Sequence, residues 1–339
     1  MNKDKKFLNL QLFAAGEVVN STGSEGLSAE MKTFYDKTLI TLASPYLVHD
    51  QFGQKRDIPK NGGKNIEFRK FSTLPKALTP LTEGVTPTGN KLNVSTITAT
   101  VEQYGDYVEQ TDLLELTAVD NTIVEATKQL ASQAGLTMDT VVRNEIVGGT
   151  NVMYCPKVSA NGTETVVTSR SAIDKTALLR VKDVFKAAAE LKAMNAPKID
   201  GYYVGIIHPY VAYDLMQEAG NQWMEVQKYT TPENMLKGEI GCLGGVRFVE
   251  STEAKIWSEG ADGCAVFATL ILGADAYGVT SVNGGGIEHI VKQKGYGNDP
   301  LNQRSSVGWK GLKTAKRLVE EYLIRIESGS AFSGTAKEN

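Results

Sequence analysis

The side chains able to do chemistry are few and scattered. The histidines are His49, His208 and His289, and none has a second His or Cys at the short spacing a zinc site needs. The cysteines Cys155, Cys242 and Cys264 are odd in number and far apart, which supports neither a disulfide framework nor a metal knuckle and fits a reducing cytoplasm. Gly62-Gly63-Lys64 is followed by Asn65 and lacks the upstream glycine of a phosphate-cradling loop. Gly238, Gly241, Gly244 and Gly245 have the wrong spacing for a dinucleotide loop, and no serine sits in a nucleophile elbow. Glu320 and Glu321 are expected on opposite faces of a strand, where they cannot share a proton or a metal. His208 ends an apolar run just before Pro209, a position that suits capping a helix more than catalysis. The expectation is no catalytic residue, no cofactor and no metal.

Composition narrows the function further. Of 339 residues, 41% are hydrophobic and 22% charged, an ordinary globular balance with chain enough for about two domains. A net charge of -3 argues against a surface built to grip nucleic acid. No apolar run approaches the roughly 18 residues of a membrane helix. Phe7 to Ala15 follows Lys3, Lys5 and Lys6 as a secretory signal would, but Asn9 and Gln11 interrupt it.

The elements that must position any surface are clearer. Residues 1–27 lack a sustained period and read as an arm, with an apolar patch of Phe7, Leu8, Leu10, Leu12 and Phe13. Ser28 is expected to cap a helix carrying Met31, Phe34, Tyr35, Leu39 and Leu42 on one face, which stops at Ser44-Pro45. Gln51 to Gly89 holds Pro59, Pro75, Pro80 and Pro87, with a Gly62-Gly63 turn leading into Ile66 and Phe68. A stretch this long with so few core residues reads as a projecting two-stranded arm.

Lys91 to Val108 alternates as one long strand. Asn121 to Ile146 is the strongest helix, its apolar residues Ile123, Ala126, Leu130, Ala134, Met138, Val141, Val142 and Ile146 recurring at helical spacing. Such a helix spans about 39 Å. Asp139, Arg143 and Glu145 are assigned to its solvated or intersubunit face. Met153 to Val167 is expected to form a hairpin turning at Asn161-Gly162, Thr176 to Met194 a helix, Tyr202 to Ile207 a buried strand, and Pro209 the first turn of another helix. Lys313 to Glu327 is expected to be a last strand returning to an earlier domain. The class is α+β.

The order of these elements, with the stretches KTFYDKTLI (Lys32 to Ile40), HDQFGQKRDIPKNGGKNIEFRKF (His49 to Phe71), LTEGVTP (Leu81 to Pro87), APKIDGYY (Ala196 to Tyr203) and DPLNQRSSVGWKG (Asp299 to Gly311), resembles the major capsid proteins of tailed bacteriophages. The resemblance covers essentially the whole chain and points to the branch common in phages and prophages of Gram-positive bacteria. It implies the Hong Kong 97-like fold: an N-terminal arm at 1–27, a first peripheral helix within 28–50, an extended loop at 51–90, a peripheral domain at 91–170 with its spine helix at 121–146, an axial domain at 171–309, a returning strand within 310–330 and a tail at 331–339.

It also implies function. The chain would self-assemble as hexamers and pentamers into an icosahedral head around double-stranded DNA, held without sequence-specific binding, with a portal and a separate scaffolding protein as partners and no membrane. Assembly would take place in the host bacterial cytoplasm. Phe7, Leu8, Leu10, Leu12, Phe13, Gly62, Gly63, Lys64, Phe68 and Arg69 are the expected intersubunit contacts. Some members crosslink neighbours through Lys and Asn; no motif here identifies such a pair. The alternatives are a compartment shell of the encapsulin kind, enclosing cargo protein, and a soluble oligomeric enzyme.

Overall fold

The computed structural model describes residues 47–59, 61–71, 74–117, 122–159, 161–225, 228, 235–236, 238–280 and 286–339. The apolar patch from Phe7 to Phe13 and the expected helix after Ser28 lie outside them. Two sheets share the chain. The first is built on β15 (Arg304–Arg317): β4 (Glu102–Thr111) pairs along one side, while β13 (Tyr277–Thr280) and β14 (Glu288–Lys292) pair with successive parts of β15, and the short β1 (Gln54–Lys55) adds to β13 in parallel. The short helix α1 (Asp112–Thr117) follows β4 directly.

The long helix α2 (Thr122–Val147, 26 residues) lies on this sheet, where Leu130, Ala131, Ala134 and Met138 pack on Val307 and Trp309. Its approach is close enough that a Cβ on Gly311 would sit 2.5 Å from the Met138 methyl. Asp139 and Arg143 correct the expectation of a solvated face. Both are buried on the core side of α2, because each finds polar partners there that satisfy its charge.

The second sheet runs β5 (Val152–Tyr154), β16 (Leu323–Ser328), β12 (Val266–Leu272), β8 (Tyr203–Ile207), β10 (Val246–Glu250), β9 (Glu239–Leu243), with β11 (Ile256–Trp257) beside β12. Runs such as VFATLIL in β12 are buried throughout, and apolar but for Thr269, because both faces are covered. One face packs under α3 (Val181–Ala193) and α4 (Pro209–Ala219), through Val184, Leu191, Val211 and Leu215. The other meets Val142 and Ile146 of α2 and Tyr277, Val279 and Ala315 of the first sheet. Gly244 and Gly245 turn β9 into β10 with φ of 64° and 85°, and the small hairpin of β6 (Lys157–Val158) and β7 (Glu164–Thr165) has Gly162 at φ 78°.

Three boundaries differ from expectation. The segment from Lys91 to Val108 is two strands: β3 (Val94–Thr100) pairs with β2 (Asn65–Phe71) in an antiparallel ribbon, and only after the buried Val101 does the chain enter β4. Alternation continues through the junction, so the sequence does not mark it. The helix expected from Thr176 begins at Val181, since Leu178 bridges Gly329 and Asp183 turns back to accept the Arg180 N–H at 3.3 Å. The segment from Lys313 to Glu327 is the end of β15 followed by β16, which belong to different sheets; Glu320 and Glu321 lie in the 3-10 turn between them rather than on a strand. Glu320 there accepts from Arg317 at 3.1 Å.

Candidate assembly surfaces

The ribbon of β2 and β3 leaves the body of the subunit at a turn set by Gly62 and Gly63. Gly62 N–H donates to the Pro59 carbonyl at 2.8 Å, and a Cβ on Gly62 would meet that same oxygen at 2.9 Å. Gly63 adopts φ 88°, a conformation open to glycine at little cost. The exposed Lys64 then offers its carbonyl to Val101 N–H at 2.9 Å, closing the base of the ribbon. Among the expected contacts, Gly62, Gly63, Lys64 and Arg69 are exposed on this ribbon.

Phe68, an expected contact, instead faces inward within its own chain. It is 3% exposed within the single chain, set against Gly278 of β13 so closely that a Cβ there would lie 2.5 Å from its ring, with the Arg56 guanidinium 5.9 Å from the ring centre. Phe68 therefore anchors the ribbon to its own sheet. Ribbon residues beyond it lose such cover. In the tip, residues 74–93, every side chain is exposed, including Leu78 at 82% and Leu81 at 77%.

A second apolar surface was not anticipated from the sequence. Helix α1 buries none of its residues, and Leu113, Leu114 and Leu116 are exposed, Leu116 at 80%. Its DLLELT sequence reads as a turn of a core helix, and only its position past the end of β4 shows that the core does not reach it.

The buried polar groups are fasteners. Asp139 accepts both the ring and the backbone N–H of His49, at 2.6 and 2.7 Å, and the Tyr277 hydroxyl donates to the His49 carbonyl. Burial pushes the Tyr277 phenol well above its usual range. Arg170 grips Glu327 with two hydrogen bonds of 2.8 Å and stacks on Trp257, while Arg325 reaches the same carboxylate at 2.8 Å and the Gly149 carbonyl at 2.9 Å. This group joins the end of α2 to the second sheet. His208 caps α4 by accepting the Tyr210 N–H at 3.2 Å, and burial lowers its pKa to about 4. Among the described residues no three His, Cys, Asp or Glu side chains converge as a metal site requires. A groove of about 680 Å³ crosses the face of the first sheet between Tyr107, Tyr296, Arg304 and Lys310; it is open and carries no paired acid and base at hydrogen-bond distance.

Comparison with known proteins gives these surfaces a context. The capsid of Ralstonia phage GP4 superposes with a TM-score of 0.65 at 15% identity, covering 85% of this chain and 88% of the other. The capsid asymmetric unit of cyanophage Pam1 gives 0.63 at 14% identity, covering 86% and 93%, and the mature capsid of bacteriophage PhiM1 gives 0.53 at 14%, covering 83% and 86%. At such identities the likeness is one of fold. No curated protein sequence matches. The family model described as phage capsid protein matches residues 48–310, most of the chain, and does not favour the cargo-compartment alternative. Two packed sheets, a spanning helix and a projecting ribbon thus take a structural role in a head shell, and the chain belongs to the phage capsid protein family.

Proposed function

We propose that this chain is the major coat subunit of an icosahedral head, assembled in the bacterial cytoplasm as hexamers and pentamers around double-stranded DNA, with a portal and a separate scaffolding protein as partners. The observation that carries the reading is the β2–β3 ribbon, whose apolar tip has no cover among the described residues. Exposed apolar surface of this extent is stabilised by burial against another molecule, and a ribbon that extends from the body can reach a neighbour. In this reading the sheet around β15 with α2 is the peripheral domain, the seven-stranded sheet with α3 and α4 is the axial domain, and the ribbon lies over the adjacent subunit. A net charge of -3 suits a wall that encloses DNA without gripping it.

Sedimentation and negative-stain microscopy of the purified protein, alone and with the scaffolding protein from the same genome, test the reading. Closed shells of uniform size are the expected result. A small compact oligomer under every condition overturns it. Particles recovered from an induced host are expected to hold nuclease-protected DNA; particles holding only protein cargo would exclude the genome-container role.

A further inference from the structure

The two exposed leucine surfaces, the ribbon tip and α1, sit at opposite ends of one strand path. The tip ends where β3 begins, β4 follows after Val101 alone, and α1 follows β4. β15 runs beside β4 and continues past it to lie beside β3, so the path does not reverse at Val101. From Val94 to Thr111 its contour is about 60 Å at the usual rise of a strand. The tip of a chain therefore cannot cover its own α1 without dismantling the β2–β3 ladder or the pairing of β4 with β15.

The surfaces are alike in apolarity and opposite in charge. The tip offers Leu78, Leu81 and Val85, with Lys76 and Lys91 against Glu83 alone. Residues 109–117 offer Leu113, Leu114 and Leu116 with Glu109, Asp112 and Glu115 and no cation of their own; Lys294 pairs with Glu115 at 2.9 Å and Arg304 stands opposite Thr111, which still leaves a carboxylate in excess. Two acidic α1 surfaces facing each other across a two-fold axis would repel.

We propose that α1 of one subunit is the seat for the ribbon tip of a second copy, its leucines covered by those of the tip and its carboxylates facing Lys76 and Lys91. The proposal rests on the shell reading above and specifies the acceptor for the arm. Because donor and acceptor are different surfaces, the contact is heterologous, and repeated around an axis it closes a ring rather than stopping at a dimer.

Cysteine crosslinking within assembled particles tests it. Leu81→Cys and Leu116→Cys are purified separately, co-assembled and oxidised; Cys155 and Cys242 are buried, and Cys264 is controlled by the parent chain. A disulfide-linked dimer from the mixture, absent from either variant alone, is the expected result, and the double variant should give a ladder of higher multimers on a denaturing gel. Shells that form without a mixed dimer overturn the proposal, as does crosslinking of the double variant without gain in mass, or of Leu116→Cys to Leu10→Cys instead, which would give α1 to the N-terminal segment. Leu116→Asp supplies a second readout: because α1 buries nothing in the subunit, the thermal melt should match the parent while the concentration needed for shells rises at least about tenfold. Shells at the parent concentration overturn the proposal. A parent chain that makes no shell defeats the underlying reading and this one with it, and does so before any variant is made.

Discussion

Asp139 holds His49 twice, taking the ring nitrogen at 2.6 Å through one carboxylate oxygen and the backbone N–H at 2.7 Å through the other. His49 lies just before the chain turns towards the ribbon, and Asp139 lies in the middle of α2, so one side chain fixes where the ribbon starts relative to the long helix. Asp139→Ala leaves two buried groups without their partner and is expected to cost about 3 kcal/mol. Urea denaturation of the unassembled subunit measures it. A loss under about 1 kcal/mol would mean that packing alone fixes the ribbon base.

His208 gives the subunit a pH dependence whose sign follows from its burial. The folded imidazole has a pKa of about 4 against an ordinary 6.5, with desolvation as the cause, and its Nδ1 must stay unprotonated to accept the Tyr210 N–H. The unfolded chain therefore takes up a proton that the folded chain refuses. This contribution is fully present above about pH 6.5, is lost as pH falls towards 4, and amounts to about 3 kcal/mol over that window. Asn at this position keeps a capping acceptor but cannot titrate. His208→Asn should thus flatten the stability profile between pH 6.5 and 4, measured by denaturant midpoints; an unchanged slope would assign the dependence to other groups.

Trimming the ribbon separates assembly from folding, provided the cut respects Phe68. A deletion from Gln54 to Pro87 would remove β1 and the Phe68 anchor, both parts of the folded body. Replacing residues 72–93 with a two-residue Asn-Gly turn keeps β2 and β3 paired, since Phe71 already pairs with Val94. The trimmed subunit should melt within about 1 kcal/mol of the parent, since the tip buries nothing, and should fail to form shells. Circular dichroism and sedimentation measure the two quantities, and normal shells would show that the tip is dispensable.

The sequence made long periodic elements legible and left their termini and partners obscure. Leu130, Ala134 and Met138 mark the core face of α2 because helical spacing follows directly from burial. Asp139 and Arg143 share that face, and residue type alone placed them in solvent; what reverses this is His49, 90 positions away. The break at Val101 was unreadable because a strand that changes partner keeps its alternation. The α1 leucines have the composition of a core helix and the position of a surface one, a difference that residue type does not mark. Among the site residues, the Gly62-Gly63 turn followed from its local chemistry, whereas the inward turn of Phe68 depends on a gap left by Gly278 more than 200 residues later.

The pairing of β4 with β15 has a consequence for timing. Thr111 finds its partner in Arg304, and Glu102 in Lys313, so during synthesis the support beneath the ribbon is absent until residues 304–313 have left the ribosome. Contacts so distant in sequence close late. An unfinished chain can expose its tip but cannot hold it at a defined angle or present α1 on a finished strand. A chain cut before Arg304 therefore lacks the strand that fixes the ribbon base and α1 relative to each other.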